Sequence, residues 1–103
     1  MEKIYVIGDI HTVSAFRLSG VTGVISGKED AAEKMEDIIR RGDAAIVAIT
    51  NELADVIQER IGVINLNLPA PVVITIPGVD DVQGFRRSVM SYISEALGIS
   101  LQS

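Results

Sequence analysis

Residues Ala44–Thr50 read AAIVAIT, and Asn51-Glu52-Leu53-Ala54 follows without a break. A nearly continuous apolar run with β-branched Ile46, Val47, Ile49 and Thr50 suits a strand covered on both faces. A helix-start residue directly after it marks a strand-to-helix unit. Three other short runs have the same character: Lys3–Gly8 (KIYVIG), residues 21–26 (VTGVIS) and Val72–Ile76 (VVITI).

Helical patterns fill the gaps. Residues 12–19 predict a short helix with Val13 and Phe16 facing inward, ended by Gly20. Ser26 and Glu29 have the spacing of a capping box, and Ala31, Met35, Ile38 and Ile39 follow on one helical face. Arg40 and Arg41 suit its last turn and Gly42 its stop. Asn51 is expected to cap the next helix, with Leu53, Ala54, Ile57 and Ile61 buried and Gly62 ending it. Residues 62–71 (GVINLNLPAP) read as an irregular stretch, and Pro77-Gly78 halts the last strand. A final helix is expected from about Asp80, with Phe85, Val89, Ile93 and Leu97 as its stripe and Gly98 as its end. Strands alternating with helices predict an α/β fold: a small Rossmann-like (flavodoxin-like) open parallel sheet of four strands with helices on both faces. Residues 1–78 are read as the globular domain and 79–103 as a C-terminal helical tail.

Composition narrows the function. The chain has 103 residues, 9 Lys+Arg and 14 Asp+Glu, for a net charge of −5. That balance lacks the basic footprint a nucleic-acid phosphate backbone requires. With no cysteine and one histidine, thiol chemistry, Cys-based zinc sites and His-rich metal sites are excluded. No stretch has the basic start and apolar core of a secretory signal, nor the roughly 18–20 apolar residues of a bilayer span. The expected location is cytoplasmic.

Ligands of an open parallel sheet bind beyond the carboxyl ends of its strands. Asp9 and Glu52 fall there, and such a pair could hold Mg²⁺ or do acid–base work. The competing reading makes Asp9 the cap of the first helix and Glu52 a first-turn anion. Neither phosphate-loop pattern, GxGxxG or GxxxxGK[ST], occurs. Ser26-Gly27-Lys28 is read as a solvated helix start, and His11 as a surface loop residue. A response-regulator receiver would need an Asp at the end of the third strand and a late Lys. Here that strand ends in Thr50-Asn51, and no Lys follows Arg60. Such a domain could survive only as a degenerate interaction module.

The terminal helix is different. Arg86-Arg87 is a basic pair in an acidic chain, beside Phe85, Val89, Met90, Tyr92 and Ile93. Met90 and Tyr92 widen the apolar face beyond one core stripe, which suits either deep burial or a partner surface.

Ile7-Gly8-Asp9, Phe16-Arg17-Leu18 before Gly20, Ala48-Ile49-Thr50-Asn51-Glu52, Pro71 through Pro77, and Ala96-Leu97-Gly98-Ile99 together resemble the F subunit of the A/V-type ATP synthases. The resemblance spans essentially the whole chain. Asn51 departs from the family's more usual Thr before Glu, and Gly78 from its common Ser. The resemblance implies a non-catalytic central-stalk component with no catalytic, cofactor or metal residues. It also implies binding to the coiled-coil D subunit of the central stalk, and a tail that approaches the catalytic A/B head and regulates hydrolysis. Phe85, Arg86, Arg87, Val89, Met90, Tyr92 and Ile93 are the expected partner-binding residues. In isolation the chain is expected to be a monomer. In the complex it is expected to be peripheral to the membrane, without inserting into it. The alternative is a small ligand- or metal-binding module using Asp9 and Glu52.

Overall fold

A computed structural model describes residues 2–78 and, beyond them, Arg87, Met90, Ser91, Ser94 and Glu95, which are helical. The predicted alternation is present: β1 (Lys3–Gly8), α1 (Ile10–Arg17), β2 (Thr22–Ile25), α2 (Ala31–Arg41), β3 (Ala44–Thr50), α3 (Asn51–Val56), α4 (Gln58–Asn67) and β4 (Val72–Ile76). The strands form one parallel sheet in the order β2-β1-β3-β4. Ile7 lies opposite Val24 on one side and Ile49 on the other, and Ile49 opposite Thr75. The α/β class, the four parallel strands and the helices on both faces are as expected. The rest of the expected terminal helix lies outside the described residues.

Strand side chains alternate between faces, and the core divides accordingly. Tyr5, Ile7, Val47, Ile49 and Val73 pack under α2, α3 and α4, against Met35, Ile38, Leu53, Ile57 and Ile64. Val6, Ile46, Ala48 and Ile76 face the other way, with Ala15 and Phe16 of α1. The two central strands therefore need apolar residues at consecutive positions, which is why their sequences lack a polar alternation.

Helix α1 sits close on the sheet because β2 carries Gly23 beneath it. A Cβ there would collide with Val13 Cγ1 and crowd the Arg17 side chain. Gly20 and Gly42 follow α1 and α2 with φ of 85° and 71°, a region glycine enters without steric cost. Arg60 ties α4 to α2 by donating from Nε and Nη2 to the two carboxylate oxygens of Glu36, at 2.6 and 2.9 Å. The fork holds the Glu36 carboxyl below its ordinary pKa. At the amino end of the sheet the buried Tyr5 hydroxyl donates to Asp43 Oδ1 at 2.7 Å, and Lys3 stands 3.4 Å from the same carboxylate.

Three local expectations need correction. Helix α2 begins at Ala31, not within a Ser26–Glu29 box: the Ser26 hydroxyl donates to Asp30 Oδ1 at 2.7 Å, and the Gly27 N–H donates to the same oxygen at 2.9 Å. Thr50 rather than Asn51 occupies the cap position of α3, without a side-chain bond. The expected single helix after Asn51 breaks at Ile57 (φ −120°, ψ 31°), and α4 then runs through Gly62 to Asn67. Most of the stretch expected to be irregular is thus helical. Ile57 and Ile64 are buried and Ile61 half-buried on its inner side, and that packing outweighs the low helix propensity of glycine.

Candidate functional site

The carboxyl ends of β1 and β3 are neighbours, yet α1 leaves toward one face and α3 toward the other. This is the crevice position of an open α/β sheet. A depression of about 210 Å³ lies there, lined by Asp9, Ser26, Gly27, Lys28, Thr50 and Glu52 among others. Gly8 lets the strand ends close up, since a Cβ on it would stand 2.8 Å from Thr50 Cγ2. The structure therefore brings Asp9, Lys28 and Glu52 to one rim.

Their chemistry is that of helix starts. Asp9 Oδ2 accepts from the N–H groups of His11 and Thr12 at 3.1 and 3.2 Å, and Oδ1 accepts from the Thr12 hydroxyl at 2.6 Å. Burial pushes its pKa up. The hydrogen bonds from Thr12 and His11 outweigh that and hold it below the usual carboxylate value. A carboxylate so committed is a poor proton acceptor near neutral pH. Glu52 is exposed and stands 4.0 Å from the equally exposed Lys28, a separation that adds little energy. Among the described residues no group of three or more His, Asp or Glu side chains is placed to hold a metal. His11 lies exposed in the first turn of α1, not in a loop.

Of the residues expected to bind a partner, Arg87 and Met90 are described, and both are exposed. Phe85, Arg86, Val89, Tyr92 and Ile93 lie outside the described residues. Thr50, at the strand end where ligands of such a sheet are expected, lies in the wall of the crevice. Sequence reasoning missed the carboxamide of Asn65, which binds both backbone groups of Val73. The Asn65 contact had no local signal, because it joins a helix to an edge strand.

The family described as the ATP synthase (F/14-kDa) subunit matches this chain over residues 4–93. The chain belongs to that family. A relative from Methanocaldococcus jannaschii, the F subunit of an A-type ATP synthase, is 28% identical over 102 residues, covering 97% of this chain and 99% of its own length. The A-type ATP synthase F subunit of Thermococcus kodakarensis is 27% identical over 106 residues, with 97% and 98% covered. The V-type ATP synthase F subunit of Fusobacterium nucleatum is 39% identical over 77 residues, covering 75% and 72%. As an ATP synthase F subunit of the A/V type, the chain is a component of a multi-subunit complex. Among its described residues no helix is long and apolar enough to cross a membrane.

Proposed function

We propose that this F subunit is a non-catalytic central-stalk component of a rotary A/V-type ATPase. In this reading it binds the coiled-coil D subunit and turns with it inside the A/B head, coupling ATP synthesis or hydrolysis to proton or sodium transport. It works on the cytoplasmic side, peripheral to the membrane. The observation that carries the reading is the family match over residues 4–93, which includes both the sheet and most of the segment beyond Gly78. The commitment of Asp9 to its helix start supports a mechanical role over acid–base chemistry.

Residues 79–103 form the regulatory tail of this proposal, hinged at Pro77-Gly78, and residues 1–78 the globular domain. Phe85, Arg86, Arg87, Val89, Met90, Tyr92 and Ile93 supply its partner contacts. Exposure of Arg87 and of Met90 (39%) supports this assignment, since arginine suits carboxylate pairing and methionine adapts to a partner surface. The test is a complex reassembled with Asp9→Ala and Glu52→Ala variants of this chain. ATP turnover within about twofold of the parent is expected. Tight stoichiometric Mg²⁺ or nucleotide binding by the isolated chain, lost in Asp9→Ala, would favour a ligand-binding module instead.

A further inference from the structure

The inner side of α3 and α4 is fully used by the core: Leu53, Ala54, Ile57 and Ile64 are buried. The outer side carries a second apolar line. Val56, Val63 and Leu66 are 49%, 45% and 85% exposed. With exposed Glu59 they stand three, four and three residues apart along the chain. That spacing repeats as the a and d positions of a coiled-coil seam. Val56 lies across the break at Ile57, yet it shares one open depression of about 620 Å³ with Glu59 and Val63. Gly62 lies on the same exposed side. Among the described residues, nothing beyond its own stretch of helix comes within 4 Å of a Cβ placed on it, and its φ does not require glycine. The fold tolerates glycine there despite its helix cost, and the absence of a side chain leaves room for another backbone to approach.

Charge selects the occupant. Asp55 and Glu59 border the depression and make no ion pair among the described residues. Arg60, the one cation lining it, is committed to Glu36. A second copy of this face would set carboxylates against carboxylates. A partner with Lys or Arg beside an apolar stripe would be complementary.

We propose that the outer face of α3 and α4, centred on Val56, Glu59, Gly62, Val63 and Leu66, seats one helix of a coiled-coil partner with basic residues flanking its apolar seam. This rests on the stalk reading above and adds to it a surface on the globular domain, separate from the tail. Gly62 permits close approach, Val63 and Leu66 fill holes between partner side chains, and Asp55 and Glu59 set its orientation.

The experiment is titration calorimetry of the full chain with the purified coiled-coil component of the stalk, alongside Gly62→Ala, Leu66→Asp and Glu59→Lys. Gly62→Ala is the decisive variant, because its effects should oppose: higher thermal stability alone and affinity weakened at least about tenfold. Leu66→Asp should weaken binding as much without altering the circular dichroism. Glu59→Lys should weaken binding, and most at low salt. Wild-type binding with unchanged affinity in Gly62→Ala and Leu66→Asp would overturn this surface and leave the stalk reading standing. No binding by the wild-type chain would overturn both. Sedimentation of the chain alone should show a monomer; a dimer abolished by Leu66→Asp would overturn the proposal in favour of self-association.

Discussion

The side chain of Asn65 holds both backbone groups of Val73: the Val73 N–H donates to Oδ1 at 2.8 Å, and Nδ2 donates to the Val73 carbonyl at 3.0 Å. Strand β4 is at the edge of the sheet, with β3 as its only strand neighbour among the described residues. An open edge is a template for unwanted strand pairing. At Val73, Asn65 takes the place of a neighbouring strand by pairing both backbone groups of that residue. Asn65→Ala is expected to cost about 1–3 kcal/mol, since both groups lose their partner at once. Urea denaturation measures the loss. Hydrogen exchange should show the Val73 amide losing protection more than its neighbours in β3.

At Gly23, α1 lies against β2 with no room for a side chain. Gly23→Ala is expected to destabilise the fold by about 1–3 kcal/mol through overpacking against Val13. Gly62→Ala should do the reverse, as the same methyl meets open space on a helix. Thermal melts of the two variants side by side separate steric demand from helix propensity.

Acid should weaken the fold. Asp9, Asp30, Glu36 and Asp43 all have lowered carboxyl pKa values. For Glu36 the cause is the Arg60 fork, for Asp30 the Ser26 hydroxyl, and for Asp43 the Tyr5 hydroxyl. At Asp9 burial acts upward but is outweighed by the bonds from Thr12 and His11. A depressed folded pKa means that the unfolded chain takes up protons first as pH falls. The stabilisation is therefore present above the ordinary carboxylate range and is lost as pH drops through about 4 toward the folded values. Urea midpoints should stay level from pH 7 to roughly 5 and decline below it. Asp43→Asn should make the acid limb shallower. A midpoint that rises as pH falls would contradict these assignments.

Removing residues 79–103 tests the proposed tail. All four strands and α1–α4 precede the cut after Gly78. Ile46, Ala48 and Ile76 are nonetheless buried on the face where α1 packs chiefly against β1 and β2. A folded but less stable chain is expected, and an altered ATP hydrolysis rate in the complex. A truncated chain that cannot fold would make the segment part of the core. An unchanged rate would remove its regulatory role.

The strands are the most legible elements. Ala44–Thr50 has the bounds its β-branched run predicts, because burial on both faces leaves little choice of residue. Val72–Ile76 also has its predicted bounds, although Val72 and Thr75 of this edge strand are exposed. The start of α2 is misleading in sequence because Asp30, not Glu29, bonds to Ser26. The region after Asn51 misleads for a tertiary reason: glycine signals a stop only where nothing holds the helix beyond it, and Ile64 is buried there. The same glycine conceals Val63 and Leu66, since residues of an irregular stretch share no helical face. At the crevice, the two competing roles of Asp9 share the same sequence. Only the Thr12 hydroxyl and the two N–H donors decide between them.

The central claim is that this F subunit is a mechanical part of a stalk, bound to a coiled coil. Its most direct test is light scattering on a size-exclusion column after co-expression with the coiled-coil component of the same complex. The account predicts a single peak whose mass is one copy of each chain, and a monomer of 11.0 kDa when this chain is run alone. Two separate peaks, each at the mass of its own free chain, would contradict it.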